Sequence, residues 1–155
     1  MIIEEKIKAL GLAVPEPAKP LAAYIPAIQT GDLVFTSGQV PLQDGVILYT
    51  GQVPTELSAE DARKAAEICC LNCLAAIKGL TGSLDAIDRI IKLTVFVNSA
   101  AGFGDQPMIA NGASELLEKI FGEKGKHVRS AVGAAGLPKN SSVEIEMTVK
   151  LKPLN

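Results

Sequence analysis

Arg129 and Glu144 are the side chains whose types best suit chemistry on a small organic acid. Arg129 lies in a β-rich run at 127–134, where a planar guanidinium can hold a carboxylate through two parallel N–H bonds. Glu144 lies on the polar side of an alternating run at 142–152, where a carboxylate can position or deprotonate water. If the two runs pair as a hairpin, the two side chains come from neighbouring strands. From pattern alone, two other interpretations stay open: a surface strand arginine, free or paired with Glu144 or Glu146, and a solvated strand glutamate.

Three cysteines and one serine are weaker candidates. Cys70 and Cys73, with Cys69 beside them, have the C-x-x-C spacing of metal ligands, but no second pair follows and His127 is the only histidine. We therefore expect buried free thiols, with no metal and no cofactor. Ser37 ends a β-rich run without a G-x-S-x-G elbow or a supporting Asp–His pair. We expect it to be structural or to form the polar wall of a pocket.

The bulk composition excludes several classes of function. Of the 155 residues, 48% are hydrophobic and 21% are charged, as in a globular domain and unlike a disordered chain. The formal net charge is −2 and no basic stripe is present, so we expect no nucleic-acid partner. No signal peptide is visible, and no apolar run reaches the roughly 18 residues of a membrane span. We therefore expect a cytoplasmic protein with no membrane partner.

Hydrophobic periodicity predicts a two-layer α+β sandwich. The predicted elements are a helix at 2–10, strands at 21–29, 33–39 and 46–49, a helix from Ser58 to about Gly82, a strand at 86–98, a helix at 106–121, and strands at 127–134 and 142–152. Pro15, Pro17 and Pro20 mark an extended connector behind the first helix. Two long helices cover one face of a mixed sheet, and the other face must be polar or be covered by another subunit.

Two parts of the chain resemble the RidA/YjgF family, also labelled L-PSP endoribonuclease. Thr36-Ser37-Gly38-Gln39-Val40-Pro41 is similar to the family's T-S-G-Q-[IV]-P segment. The family also has a C-terminal signature of three parts: R-S-x-V, L-P and [VI]-E-[IV]-E. This chain matches it with Arg129-Ser130-Ala131-Val132, Leu137-Pro138 and Val143-Glu144-Ile145-Glu146. The resemblance covers residues 21–152. We expect residues 1–155 to form a single domain of this family, with a helical extension at about 1–20.

The resemblance implies a chorismate-mutase-like (YjgF-like) fold and a homotrimer with clefts between its subunits. It implies that Arg129 binds the carboxylate of a small-molecule substrate and that Glu144 positions the attacking water. The other substrate-binding positions of the family fall on Tyr24, Ser37, Asn111 and Ala131. Ala131 is a departure, since Cys or Thr is common there, and Lys126-His127-Val128 replaces the usual Pro-containing lead into the arginine.

The activity implied by the resemblance is hydrolysis of reactive imines or enamines to 2-keto acids and ammonia. The substrates would be of the 2-aminoacrylate or 2-iminopropanoate type, and neither a metal nor an organic cofactor is required. Two alternatives stay open: a non-catalytic trimeric binder or sensor of small carboxylates, and a ribonuclease or translation inhibitor. The acidic balance and the single histidine disfavour the ribonuclease, because RNA cleavage usually needs paired acid and base groups.

Overall fold

The helices and strands are seen in a computed structural model that describes residues 1–17, 19 and 22–154. In chain order they are α1 (Ile2–Ala9), β1 (Ala27–Thr30), β2 (Leu33–Thr36), β3 (Leu42–Gln43), β4 (Val46–Ile47), α2 (Ala59–Thr81), β5 (Ile87–Asn98), α3 (Gln106–Phe121), β6 (Val128–Ala134) and β7 (Val143–Leu151). Pro20 of the predicted connector, Leu21 of the first predicted strand and the last residue, Asn155, lie outside the described residues. Among the described residues, no helix combines the length and the apolarity that crossing a bilayer requires.

Five strands form one mixed sheet in the order β1-β2-β7-β5-β6. β6 runs parallel to β5, and every other neighbouring pair is antiparallel. α2 and α3 cover one face of the sheet, which confirms the predicted two-layer α+β sandwich. The hairpin considered between the last two strands is wrong, because β5 lies between them and pairs with both. A parallel neighbour needs a crossover, which α3 supplies, and β7 then returns along the other edge of β5.

Residues at its two ends fix where α2 begins and where it ends. The Asp61 backbone N–H donates to Ser58 Oγ at 3.1 Å, which confirms Ser58 as the cap that opens the helix. Gly82 ends it with a φ of 82°, a left-handed conformation that glycine adopts without steric cost. The side chains that α2 turns to the sheet are mostly small and buried, including Ala62 and Ala66. The helix can therefore lie close over β7, which positions the strand that carries Glu144.

α1 is attached to the sandwich by a residue distant in sequence. The Asp85 carboxylate accepts hydrogen bonds from the backbone N–H groups of Ile2 at 2.9 Å and Ile3 at 2.8 Å. These N–H groups have no partner inside the first turn of a helix, so Asp85 satisfies them from outside. Ile7 is fully buried in the hydrophobic core. The helix predicted at 2–10 is therefore part of the packed structure.

The first two strands are shorter than the sequence predicts. Pro26 has no N–H to donate, so the ladder of β1 begins just after it. β2 stops at its fourth residue, and pairing resumes at Gln39, which exchanges backbone hydrogen bonds of 2.8 and 2.9 Å with Ile145. The break in the strand brings Gly38 over β7 and against the side chain of Glu144.

The second face of the sheet is left open in the chain. Because successive strand residues point to opposite faces, buried Ile145 and Met147 alternate with Glu144 and Glu146. Apolar side chains share this open face with the carboxylates: Ile28, Phe35 and Val132 are 56%, 40% and 44% exposed. The open face is therefore mixed in character, with carboxylates beside exposed apolar groups.

Candidate functional site

Arg129 points from β6 to the side of the sheet that α3 covers. It is in register with Leu93 of β5, which is fully buried on that side. Arg129 Nη1 donates to Asn111 Oδ1 at 2.7 Å and to Ser114 Oγ at 3.0 Å, and Nη2 donates to the Pro107 carbonyl at 3.2 Å. Asn111 and Ser114 are three residues apart and so share one face of the helix. Three acceptors from one helix thus fix the plane of the guanidinium.

The anchored guanidinium keeps donors for a ligand. Arginine has five N–H groups, of which α3 occupies three. Within the described residues, no acceptor reaches the Nε–H or the second Nη2 hydrogen. Nε and Nη2 flank one edge of the planar group, and an edge of this kind can bind a carboxylate through two bonds. The guanidinium lines a cleft of about 340 Å³, so a small anion has space beside it.

Sequence reasoning missed two residues that contact this guanidinium directly or through one hydrogen bond. Ser114 accepts from Arg129, and its Oγ lies 3.0 Å from His127 Nε2. His127 Nδ1 lies 2.7 Å from the Gly125 carbonyl. Burial lowers the pKa of His127, and the nearby Arg129 charge lowers it further, against the opposing effect of the Gly125 hydrogen bond. The only available signal was the i, i+3 spacing of Asn111 and Ser114.

Two further predicted residues, Tyr24 and Ser37, are linked along the chain to the glycine that lies against Glu144. Glu144 is half-buried, and a Cβ at Gly38 would lie 2.4 Å from its Oε1. Ser37, next in the chain, donates from its hydroxyl to the Ile25 carbonyl at 2.6 Å, which ties it to the segment carrying Tyr24. Tyr24 is 55% exposed. Ser37 therefore adjoins the glycine that faces Glu144, and the Ile25 carbonyl connects Ser37 to the residue after Tyr24.

The surroundings of the Glu144 carboxyl disfavour its charged form. Burial raises its pKa above the ordinary value for glutamate, and the neighbouring Glu146 charge raises it further. Within the described residues, no donor reaches its carboxylate. A carboxylate with a raised pKa is a stronger base, and one without a protein donor has its lone pairs free for water.

The structure separates the predicted site residues into two groups. Arg129 and Ala131 lie on the helix-covered side of β6, because they are in register with buried Leu93 and Val95. Glu144 is in register with Phe96 of β5, which points to the open face. Asn111 joins the arginine group, whereas Tyr24 and Ser37 join the glutamate group. Within one chain, Arg129 and Glu144 lie on opposite faces of the sheet with β5 between their strands.

Other concave or reactive features lie apart from both groups. A larger cleft of about 660 Å³ lies between the segment after α1, the β3–β4 hairpin and α2, and none of the predicted site residues lines it. The three cysteines are buried free thiols, as the sequence predicts. In the part of the chain that the structure describes, no group of three or more His, Cys, Asp or Glu side chains is arranged to hold a metal ion.

The fold and the anchored guanidinium define a small α+β protein of the chorismate-mutase-like class. Residues 4–151 match the family described as "YjgF/chorismate mutase-like, putative endoribonuclease", and the chain belongs to that family. The chain is similar to a 2-iminobutanoate/2-iminopropanoate deaminase of Dermatophagoides farinae, with 28% identity covering 91% of this chain and 95% of that protein. The family thus includes imine deaminases.

Two solved structures agree with this assignment. Protein Atu1372 of Agrobacterium tumefaciens, described as having unknown function, is 42% identical with a TM-score of 0.89, covering 97% of this chain and 92% of that one. Escherichia coli TdcF, solved with bound serine, is 28% identical with a TM-score of 0.58, covering 88% of this chain and 94% of that one. The predicted chorismate-mutase-like fold is confirmed.

Proposed function

We propose that the protein hydrolyses reactive imines and enamines of the 2-aminoacrylate and 2-iminopropanoate type to 2-keto acids and ammonia. The observation that carries the proposal is the guanidinium of Arg129, which α3 anchors through three bonds while two N–H groups stay available. These substrates carry a carboxylate beside the reacting carbon, so one bidentate contact fixes the position of that carbon. A relative named a deaminase and a relative solved with bound serine support the same ligand chemistry.

The reaction needs only one held carboxylate and one held water. An enamine first tautomerises to the imine, whose carboxylate binds Arg129. Glu144 takes a proton from a water whose oxygen bonds to the imine carbon, while the imine nitrogen takes a proton from solvent. Glu144 then returns its proton to the amine nitrogen of the carbinolamine. The C–N bond breaks to release ammonia, the hydroxyl proton passes to solvent, and the C=O bond forms. Because such imines also hydrolyse without a catalyst, positioning of the two reactants can supply much of the acceleration.

The proposal requires more than one copy of the chain, because a single copy presents Arg129 and Glu144 on opposite sheet faces. The family resemblance implies a homotrimer, and we propose that its clefts join the arginine group of one copy to the glutamate group of its neighbour. The exposed apolar side chains on the open face, such as Phe35 and Val132, support burial of that face. Sedimentation equilibrium should report three times the chain mass of 16.2 kDa. A monomer at micromolar concentration would contradict the trimer.

The activity is testable with 2-iminopropanoate made in solution by an amino-acid oxidase acting on alanine. Semicarbazide traps the imine, so a deaminase slows semicarbazone formation and speeds pyruvate release. We expect both effects from the wild-type chain and neither from Arg129→Ala. A protein that binds pyruvate but leaves semicarbazone formation unchanged would be a carboxylate binder and not a deaminase. The ribonuclease alternative is disfavoured because both ring nitrogens of His127, the only histidine, are bonded within the protein.

A further inference from the structure

The hydrogen bonds around His127 have one consistent direction. The Gly125 carbonyl can only accept, so His127 Nδ1, 2.7 Å away, carries the ring proton in the neutral histidine. Nε2 then has a lone pair and accepts the Ser114 hydroxyl proton across 3.0 Å. The Ser114 oxygen is left to accept from Arg129 Nη1, which can only donate. The series of hydrogen bonds therefore runs from Arg129 through Ser114 and His127 to Gly125.

Gly125, at the end of this series of hydrogen bonds, is held by close packing. A Cβ on Gly125 would lie 2.2 Å from the Leu117 carbonyl, so the backbone of the 3₁₀ turn Gly122–Gly125 packs directly on α3. α3 also carries Ser114, so both ends of the His127 ring are held by one packed unit. A histidine fixed in this way sets the direction of the Ser114 hydroxyl, which would otherwise rotate freely.

We infer that His127 is a positioning residue for the substrate carboxylate, acting through the Ser114 hydroxyl to orient the guanidinium of Arg129. The inference rests on the proposed role of Arg129 as the carboxylate-binding group, not on the deaminase chemistry. It adds two residues to the machinery of that site, one on α3 and one just before β6. His127 itself need not touch the ligand.

The inference is tested by binding of 2-oxobutanoate to four variants. His127→Phe removes the acceptor and should weaken binding about three- to tenfold, the usual effect of one neutral hydrogen bond. His127→Gln retains an acceptor in place of Nε2 and should restore most of the affinity. Ser114→Ala should weaken binding at least as much as His127→Phe. In the Ser114→Ala background, His127→Phe should have no further effect, because the two residues act in series.

Ser130→Ala is the matched control for loss of a hydroxyl, since Ser130 lies on β6 beside Arg129 but points to the other face. It should leave 2-oxobutanoate affinity unchanged. Thermal unfolding of each variant separates loss of fold from loss of binding. If His127→Phe is folded and binds like the wild type, or if the effects of His127→Phe and Ser114→Ala add fully, the relay through Ser114 is overturned.

A spectroscopic readout follows from the presence of a single histidine. In ¹⁵N-labelled protein, the imidazole should give one pair of nitrogen signals, with Nε2 as the unprotonated nitrogen. Saturating 2-oxobutanoate should shift the Nε2 signal in the wild type but not in Ser114→Ala. An Nε2-protonated tautomer, a shift that persists in Ser114→Ala, or failure of the wild type to bind 2-oxobutanoate would overturn the inference. Binding with the expected shift but without imine hydrolysis would refute the deaminase function and leave the relay standing.

Discussion

Replacing Arg129 by lysine should weaken carboxylate binding although the positive charge is kept. The three acceptors that α3 presents to the guanidinium, Asn111 Oδ1, Ser114 Oγ and the Pro107 carbonyl, would remain. A lysine ammonium has three N–H groups, so satisfying those acceptors would leave none for the ligand. Loss of at least one charge-assisted hydrogen bond costs about 1.5–3 kcal/mol. That is about one to two decades of affinity for a 2-keto acid.

The assay is isothermal titration of 2-oxobutanoate into wild-type, Arg129→Lys and Arg129→Ala proteins, beside the imine-trapping measurement. Both variants should lose turnover in addition to affinity, because an unanchored imine is no longer aligned with the water. Arg89→Lys is the matched control, because Arg89 also donates from Nη2 to a backbone carbonyl, that of Lys126 at 3.1 Å. It should bind within about twofold of the wild type. An Arg129→Lys protein with wild-type affinity and turnover would refute the assignment of the bidentate edge.

Three further changes probe the glutamate group and the thiols. Turnover needs ionised Glu144, so it should fall as the pH drops through the raised pKa of that carboxyl. Glu146→Gln removes one cause of the raised pKa and should move the acidic limb of the pH–rate profile to lower pH. Gly38→Ala would place a methyl group 2.4 Å from the present position of Glu144 Oε1. It should cut turnover about ten- to a hundredfold, while thermal unfolding and 2-oxobutanoate affinity change little. Burial raises the pKa of Cys73 to about 12. A thiol reagent at pH near 8 should therefore label Cys73 only as fast as the protein unfolds. Rapid labelling of Cys73 in the native protein would contradict its burial.

The helices and strands could be predicted from the sequence because each depends on local patterns among neighbouring residues. The Ser58 cap needs only the N–H three residues later, and the alternation around Glu144 reflects the two-residue period of one strand. Strand order is a different kind of information. The sequence allowed a hairpin between β6 and β7 across the connection at 135–142, but in the structure both strands pair with β5. No local pattern distinguishes these two arrangements.

Because the predicted strand order was wrong, the sequence did not show that Arg129 and Glu144 lie apart. In a hairpin, Arg129 and Glu144 would have been neighbours, whereas in the sheet they lie on opposite faces with β5 between them. Ser114 and His127 were missed for a related reason. Helical spacing places Asn111 and Ser114 on one face of α3, but it does not say which strand that face meets. Their role becomes visible only once β6 is known to follow α3 at the edge of the sheet.

The separation of Arg129 from Glu144 predicts that two inactive variants can restore activity to each other. Arg129→Ala keeps Glu144, and Glu144→Gln keeps Arg129. A cleft that takes its arginine from one copy and its glutamate from the next is intact whenever a Glu144→Gln copy supplies the arginine and an Arg129→Ala copy supplies the glutamate. In equal mixtures assembled at random, about a quarter of the clefts meet that condition. Unfolding the two variants together and refolding them should therefore recover about a quarter of the wild-type imine hydrolysis.

Two controls give this complementation its meaning. The variants refolded separately and then mixed should stay inactive until subunits exchange. The double variant Arg129→Ala/Glu144→Gln, refolded with the wild type, should leave about a quarter of the clefts intact, because both native groups then come only from adjacent wild-type copies. If each copy instead held a complete site, the mixture of single variants would show no activity, and the mixture of wild type with double variant would keep about half. That pair of results would refute the cleft between subunits, however the Arg129 variants behave on their own.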